Sequence, residues 1–295
     1  TSIKIDQDRD GKLSEAERNA VDTIKVTDGY NGKKLTSLKG IEFFPNLVTL
    51  WCYDNQLTEL DVSKNMALQK LQCSENKLQS LDLSQNPNLT QLYCGRNPLT
   101  TLDLSKNTAL KELQCHANFL TKLDVSKNTA LTDLHCKDNQ LTTLDVSKNT
   151  TLTSLLCAKN QLASLDISKN TDLTDLDCRW NQLTALDVSA NTALKDLDCR
   201  WNQLTSLDLS ANPKLSFSHC STNNNTYRLT LDASRTLDLT TLPGSFDVTK
   251  ASYWSGGTVS GTVLTVDGGA EQVTYSYDCG NGITAYFTLT CGKAR

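Results

Sequence analysis

Residues 6–17 read DQDRDGKLSEAE and satisfy D-x-[DN]-x-[DN]-G-x5-E at every required position. These types at this spacing suit a hard divalent cation bound through oxygen alone. Asp6, Asp8 and Asp10 would give carboxylate oxygens, Lys12 its carbonyl, Ser14 an oxygen acting through water, and Glu17 both carboxylate oxygens. Gly11 permits the sharp turn between them, and Leu13 fills the usual apolar slot. The expected ion is calcium, in a structural role; the plainer alternative is an acidic solvated turn. SEAERNAV then reads as the exiting helix, with Ser14 as N-cap and Glu17 three residues on.

Eleven cysteines and three histidines carry the remaining candidate chemistry. Cys52, Cys73, Cys94, Cys115, Cys136, Cys157, Cys178, Cys199 and Cys220 each follow the last by 21 residues. Zinc sites want ligands clustered at spacings such as C-x-x-C, which do not occur here. A column of nine cannot pair completely, and cysteine is a small hydrophobe that tolerates burial. Buried free thiols in a leucine slot are therefore expected. Cys279 and Cys291 fall at opposite ends of an expected hairpin arm about 26 Å long, too far to bond to each other within it. His116 and His135 lie on adjacent units, one after and one before its cysteine, and should both face outward. Asp133 or Asp138 could join them on a metal; unconnected surface histidines are the plainer reading. H-E-x-x-H, G-x-S-x-G, a phosphate loop and G-x-G-x-x-G are all absent. Nucleophilic catalysis would also need a base and an orienting partner in a pocket, so the chain reads as non-catalytic.

The element that must position these residues is a repeat. An asparagine follows each of the nine cysteines by three, and a leucine stands two before each except at Ser218. The unit is L-x-x-L-x-C-x-x-N-x-L. One such coil cannot bury its own leucines, but stacked coils can. The asparagine column is expected to bond backbone groups of the turns. The second half of each unit, L-T-x-L-D-V-S-x-N, reads as another short extended segment. Its aspartates, Asp61 to Asp208 at the same period, never change, and neither does the serine two later. Stacked carboxylates repel by about 0.9 kcal/mol per neighbouring pair even in water. Backbone N–H groups and the following serine, in Asx-type turns, are expected to offset this, with nearby lysines; a column of bound cations is the sharper alternative.

An invariant surface reads as scaffold, whereas the residues flanking each cysteine vary from coil to coil. Strand alternation points them outward while leucine and cysteine point in. The candidate ligand-binding residues on this face are Trp51, Tyr53, Tyr93, His116, His135, Asp177, Arg179, Trp180, Asp198, Arg200 and Trp201, with Phe119 nearby. DLDCRWNQLT occurs twice, at 175–184 and 196–205; a recent coil duplication explains the identity without selection, and it leaves an Asp/Arg patch with a paired Trp as a candidate contact surface. Aromatic anchors with arginine suit protein interfaces, and aromatic faces flanked by carboxylates suit sugars.

A 21-residue unit with cysteine in a leucine slot resembles the cysteine-ladder members of the internalin family of bacterial surface proteins, over roughly residues 24–225. LTSLKGIEFFPNL (35–47) also resembles the opening of an internalin array. The resemblance implies a leucine-rich-repeat solenoid, with short strands on the concave face and extended or turn segments on the convex side. It also implies an extracellular, non-enzymatic adhesin using that concave face. The chain departs from that family at both ends. No wall-sorting signal is seen, and the start is of another kind. TSIKI shows no entering helix, so the loop after it resembles a dockerin-type or lone EF-hand calcium loop.

Residues 226–295 lose the period and alternate instead, with turn signals such as PGS, SGG, DGG and GNG. The expected organisation is a calcium loop and helix cap at 1–23, about nine repeats at 24–225, and a small all-β, immunoglobulin-like cap at 226–295. The expected function is that of a secreted or cell-surface bacterial recognition module, a monomer that binds a protein such as a host surface protein. A carbohydrate- or mucin-glycan-binding module and a structural spacer are the alternatives. A net charge of −4 without a basic run gives no pull toward nucleic acid. No apolar stretch approaches the ~18–20 residues of a membrane span. The chain begins at Thr1 with no charged-then-apolar leader. It reads as a trimmed start, with any export signal or anchor outside it.

Overall fold

The computed structural model describes residues 12–27, 33–215, 224–231 and 233–291. Two compact units meet in sequence at Leu141 and Thr142, inside the repeats.

The first unit opens with helix α1 (Glu15–Asn19). Ser14 caps it reciprocally, as expected: Glu17 N donates to Ser14 Oγ at 3.3 Å, and Ser14 N donates to Glu17 Oε2 at 2.9 Å. The helix is short because β-branched Val21, Thr23 and Ile24 follow; Val21 is buried, and Thr23–Lys25 form strand β1. β1 is a rung that the cysteine period does not announce. It runs parallel to β2 (Thr49–Trp51), with Ile24 opposite Leu50 in the leucine slot. β3 (Lys70–Gln72), β4 (Gln91–Tyr93), β5 (Glu112–Gln114) and β6 (Asp133–His135) follow in parallel register, leucine beside leucine.

The second unit has the same kind of rung in β7 (Ser154–Leu156), β8 (Asp175–Asp177) and β9 (Asp196–Asp198). All these strands are three residues long for a local reason. Two positions after each cysteine the backbone turns left-handed, at Asp54, Glu75, Arg96, Ala117 and Asp138 in the first unit and at Lys159, Trp180 and Trp201 in the second, with φ from 52° to 59°. That turn ends each strand and starts the return.

Leucine and cysteine columns fill the core, and Cys52 to Cys199 are at most 1 % exposed. All eight are free thiols, as are Cys279 and Cys291; Cys220 lies outside the described residues. Burial raises the thiols of Cys73, Cys115, Cys178 and Cys291, and those of Cys52, Cys94 and Cys136 to about 12. The expected asparagine ladder is present. Asn76 Oδ1 accepts from Leu57 N at 3.0 Å, and its Nδ2 donates to Cys52 O at 2.9 Å and Cys73 O at 3.0 Å.

The second half of each coil is not a ladder strand but a chain of turns, organised by a second asparagine column. Asn86, fully buried, donates from Nδ2 to Val62 O and Asn65 O, both at 3.0 Å. Asn107 and Asn191 repeat the pattern. The aspartates form the expected Asx turns: Ser63 N donates to Asp61 Oδ1 at 2.9 Å and Ser189 N to Asp187 Oδ1 at 2.9 Å.

The second unit ends in two small sheets. One has the order β10 (Asn225–Leu229), β16 (Thr284–Cys291), β15 (Gln272–Asp278), β12 (Ala251–Ser255); the other has β11 (Thr236–Asp238), β14 (Val263–Val266), β13 (Gly257–Ser260). Phe246, Trp254, Tyr275 and Phe287 form their aromatic centre. Tyr275 reaches the preceding coil, where its hydroxyl donates to Thr205 O at 2.6 Å. Ser206 Oγ likewise donates to Gly244 O at 2.9 Å. These sheets cover the apolar edge of the last described coil.

Candidate functional site

The outward residues of the strands are held by three neighbouring columns: the residue before each cysteine, the residue after it, and the left-handed position that follows. In the first unit this face carries three arrangements. Trp51 is covered by Lys25, whose Nζ lies 3.7 Å from the ring centroid. Tyr93 donates its hydroxyl to Glu112, which also accepts from Gln91 Nε2 at 2.8 Å. Burial, with the Glu112 hydrogen bond and charge, raises the Tyr93 phenol to about 12. His116 and His135 stack at 4.4 Å between centroids and 14° between planes. They are connected to each other, not isolated.

Gly95 makes that stack possible. A Cβ there would lie 2.6 Å from His116 Cε1 and 2.7 Å from its Nδ1, so only glycine lets the ring lie down on the preceding rung. His116 Nδ1 and His135 Nε2 are buried without hydrogen-bond partners among the described residues. Burial depresses both histidines, His135 to about 4 with a further contribution from His116. Parallel rings aim their lone pairs along parallel planes, which does not converge them on one ion. No group of three or more metal-ligating side chains occurs among the described residues.

In the second unit the repeated DLDCRW builds a compact network. Arg179 Nε lies 3.3 Å from Asp177 Oδ2, and Arg179 Nη1 lies 3.2 Å from Asp198 Oδ2. Arg200 clasps Asp198 with two bonds, Nε to Oδ1 at 2.9 Å and Nη2 to Oδ2 at 2.7 Å. Burial opposes ionisation of Asp198, which is 9 % exposed, but these hydrogen bonds and charges hold its carboxyl below the usual range. Trp180 and Trp201 stack at 4.7 Å and 11°, with the Arg200 guanidinium 4.9 Å from the Trp201 centroid. Trp180 is 48 % exposed.

The structure brings together His116 with His135, and Asp177, Arg179, Trp180, Asp198, Arg200 and Trp201 with one another. It leaves Tyr53 without a role in either arrangement. The sequence reading missed Gly95, Lys25 and Glu112, the groups that seat or cover the outward rings. The signal for them was column position: each sits one coil before or after the ring it serves. Of the calcium-loop candidates, Lys12, Ser14 and Glu17 are described, while Asp6, Asp8 and Asp10 lie outside the described residues.

Solved structures show what the chain is similar to. The functional domain of InlJ from Listeria monocytogenes, which includes a cysteine ladder, is 25 % identical with a TM-score of 0.54; the match covers 95 % of this chain and 83 % of that one. A leucine-rich-repeat protein of Leptospira interrogans is 22 % identical with a TM-score of 0.63, covering 72 % of this chain and 56 % of its own. Internalin C2 of Listeria monocytogenes is 21 % identical with a TM-score of 0.53, covering 69 % and 82 %. No family model matches the chain, and no curated protein matches it. The fold is a leucine-rich-repeat solenoid with a buried cysteine ladder. No helix among the described residues is long and apolar enough to cross a membrane.

Proposed function

We propose that the chain is a non-catalytic recognition module that binds a protein partner through the outward face of its short strands. The observation that carries this is a contrast between two surfaces of each coil. The Asp column is spent on its own serines, identically in coil after coil. The strand face varies along the coils, the 175–184 and 196–205 pair excepted, and holds aromatic rings in fixed, part-exposed positions. Rigid aromatic anchors lose little entropy on binding, which favours an interface. The internalin likeness supports a bacterial secreted or cell-surface setting and an adhesin-like role for a monomer.

Two further parts belong to this reading. The stretch around Asp6, Asp8, Asp10, Lys12, Ser14 and Glu17 is a structural calcium loop; what supports it is the spacing of these oxygen-bearing residues with Gly11 between them. The two C-terminal sheets are an immunoglobulin-like cap.

The test of the main reading is an array of host surface proteins, intact and deglycosylated, probed with the chain and with Trp51→Ser, Tyr93→Ser and Trp180→Ser variants. Signal that survives deglycosylation and falls with the outward substitutions is expected. Competition by free sugar would move the reading to a glycan-binding module, and indifference to every substitution would leave a spacer.

A further inference from the structure

The rings of the strand face attract cations from within the chain: Lys25 sits on Trp51 and Arg200 on Trp201. Trp180 differs. One of its faces is taken by Trp201, and no cation among the described residues lies over the ring, which is 48 % exposed. A tryptophan face attracts a cation more strongly than any other side-chain ring. This one is already rigid, because the stack fixes the ring and the left-handed backbone at φ 56° fixes its stem.

The charges around it have been sorted by the fold. Arg179 and Arg200 are committed to Asp177 and Asp198. Asp175 and Asp196 stand directly opposite each other on β8 and β9, and neither forms an ion pair among the described residues. Among the described residues the Asp175 carboxylate accepts the Thr174 hydroxyl, at 2.5 Å. Two carboxylates on neighbouring parallel strands repel each other even in water. Lys159 and Lys195 are exposed at the two margins of the strip, in ion-pair contact with neither aspartate. An incoming anion would meet these two carboxylates, whereas an incoming cation meets an uncovered ring and two uncompensated charges.

We propose that the Trp180/Trp201 strip takes a lysine- or arginine-bearing polypeptide segment, with one cation on the open face of Trp180 and a second at Asp175 and Asp196. The proposal rests on the protein-recognition reading and adds the chemistry of the partner. The two subsites are five residues apart on one rung, so a short extended segment of at most about 17 Å spans them.

The test uses the whole chain and a labelled peptide in which arginine or lysine alternates with glycine and serine. Its controls are the glutamine-substituted peptide and a neutral oligosaccharide. The basic peptide binds and the glutamine peptide does not. Trp180→Ala weakens binding about tenfold while Trp180→Phe keeps most of it, and the thermal melt confirms that each variant folds. Asp175→Asn with Asp196→Asn weakens binding several-fold and flattens its dependence on salt. Equal binding by parent and variants, equal binding of the glutamine peptide, or salt-independent competition by the oligosaccharide would overturn the proposal. A protein partner lost with Trp51→Ser and Tyr93→Ser, alongside no basic-peptide binding, overturns this proposal and leaves the recognition reading standing.

Discussion

At the scale of single residues, the His116–His135 stack makes a prediction about acid. Burial lowers both rings below the ordinary imidazole range; Arg96 and Lys137 add to this at His116, where Glu75 and Asp138 oppose it, and His116 and Lys137 add to it at His135. His135 titrates at about 4, against roughly 6.5 for an unperturbed imidazole. A depressed folded-state pKa means that the unfolded chain takes up protons first. The stack's contribution is therefore complete above pH ~6.5 and is lost as pH falls toward about 4. The expected result is a melting temperature that declines across that window, and a His135 ring resonance that titrates near its lower end. Gly95→Ala should push the His116 ring off its seat. That variant is expected to move both titrations back toward the ordinary imidazole value and to flatten the decline; NMR titration of the ring protons checks both. An unshifted pair of titrations in Gly95→Ala would mean that the glycine does not set the stack.

At the scale of the coil, the two Asn columns and the Asp column look alike in sequence but carry different loads. Asn107 is fully buried and serves Leu83 O at 3.1 Å and Asn86 O at 2.9 Å, whereas Asp103 is exposed and serves only Ser105 N at 2.8 Å. Asn107→Ala removes two buried side-chain hydrogen bonds, while Leu83 O keeps Asn86 N and Asn86 O keeps Leu89 N as donors, and should cost about 1–3 kcal/mol in urea unfolding. Asp103→Asn keeps the Asx turn and should leave the urea midpoint close to that of the parent. Ala117 sits at φ 52°, where a Cβ is penalised, so Ala117→Gly should stabilise by roughly 0.5–1 kcal/mol after allowing for glycine's greater freedom when unfolded. These contrasts show what was legible in the sequence. The 21-residue period, the Leu and Cys columns and the first Asn ladder could be read directly, because burial at a fixed register repeats the same letters. The left-handed position could not: Asp, Glu, Arg, Ala, Lys and Trp all occupy it, since the turn is imposed by the coil and not by the residue. β1 was hidden for the opposite reason, in that Ile24 does the work of a leucine without the cysteine that marks the other rungs. The outward site was legible as a list of varying residues, but its pairings were not, because each lies a whole coil away in sequence.

For the molecule as a whole, a solenoid must close its open end, and here the closing element is small. α1 has five residues, too few to be stable as an isolated helix. It is tied to the first rungs by Asn46 Nδ2 donating to Asn19 O at 2.9 Å, by Val48 N donating to Asp22 O at 2.8 Å, and by Arg18 over the Phe43 ring at 6.0 Å. Such an element gains most from a ligand that binds only the folded form. If the proposed calcium loop is correct, calcium at about a hundredfold over its dissociation constant adds roughly 2.7 kcal/mol to the stability of whatever unfolds with the loop. Glu17→Gln separates this effect from the helix cap. Glutamine keeps the reciprocal bonds of the capping box but removes the charge and the bidentate closure that calcium requires. The metal-free melting temperature of Glu17→Gln should therefore stay near that of the parent, while its calcium-induced rise disappears; Asp8→Asn should weaken the rise without touching the cap. Calorimetric titration and paired melts in calcium and in chelator measure this directly. A parent chain that gives no heat with calcium and no difference between the paired melts would remove the ion, and would leave the Ser14–Glu17 box and the Asn46, Val48 and Arg18 contacts to close the described N-terminal end.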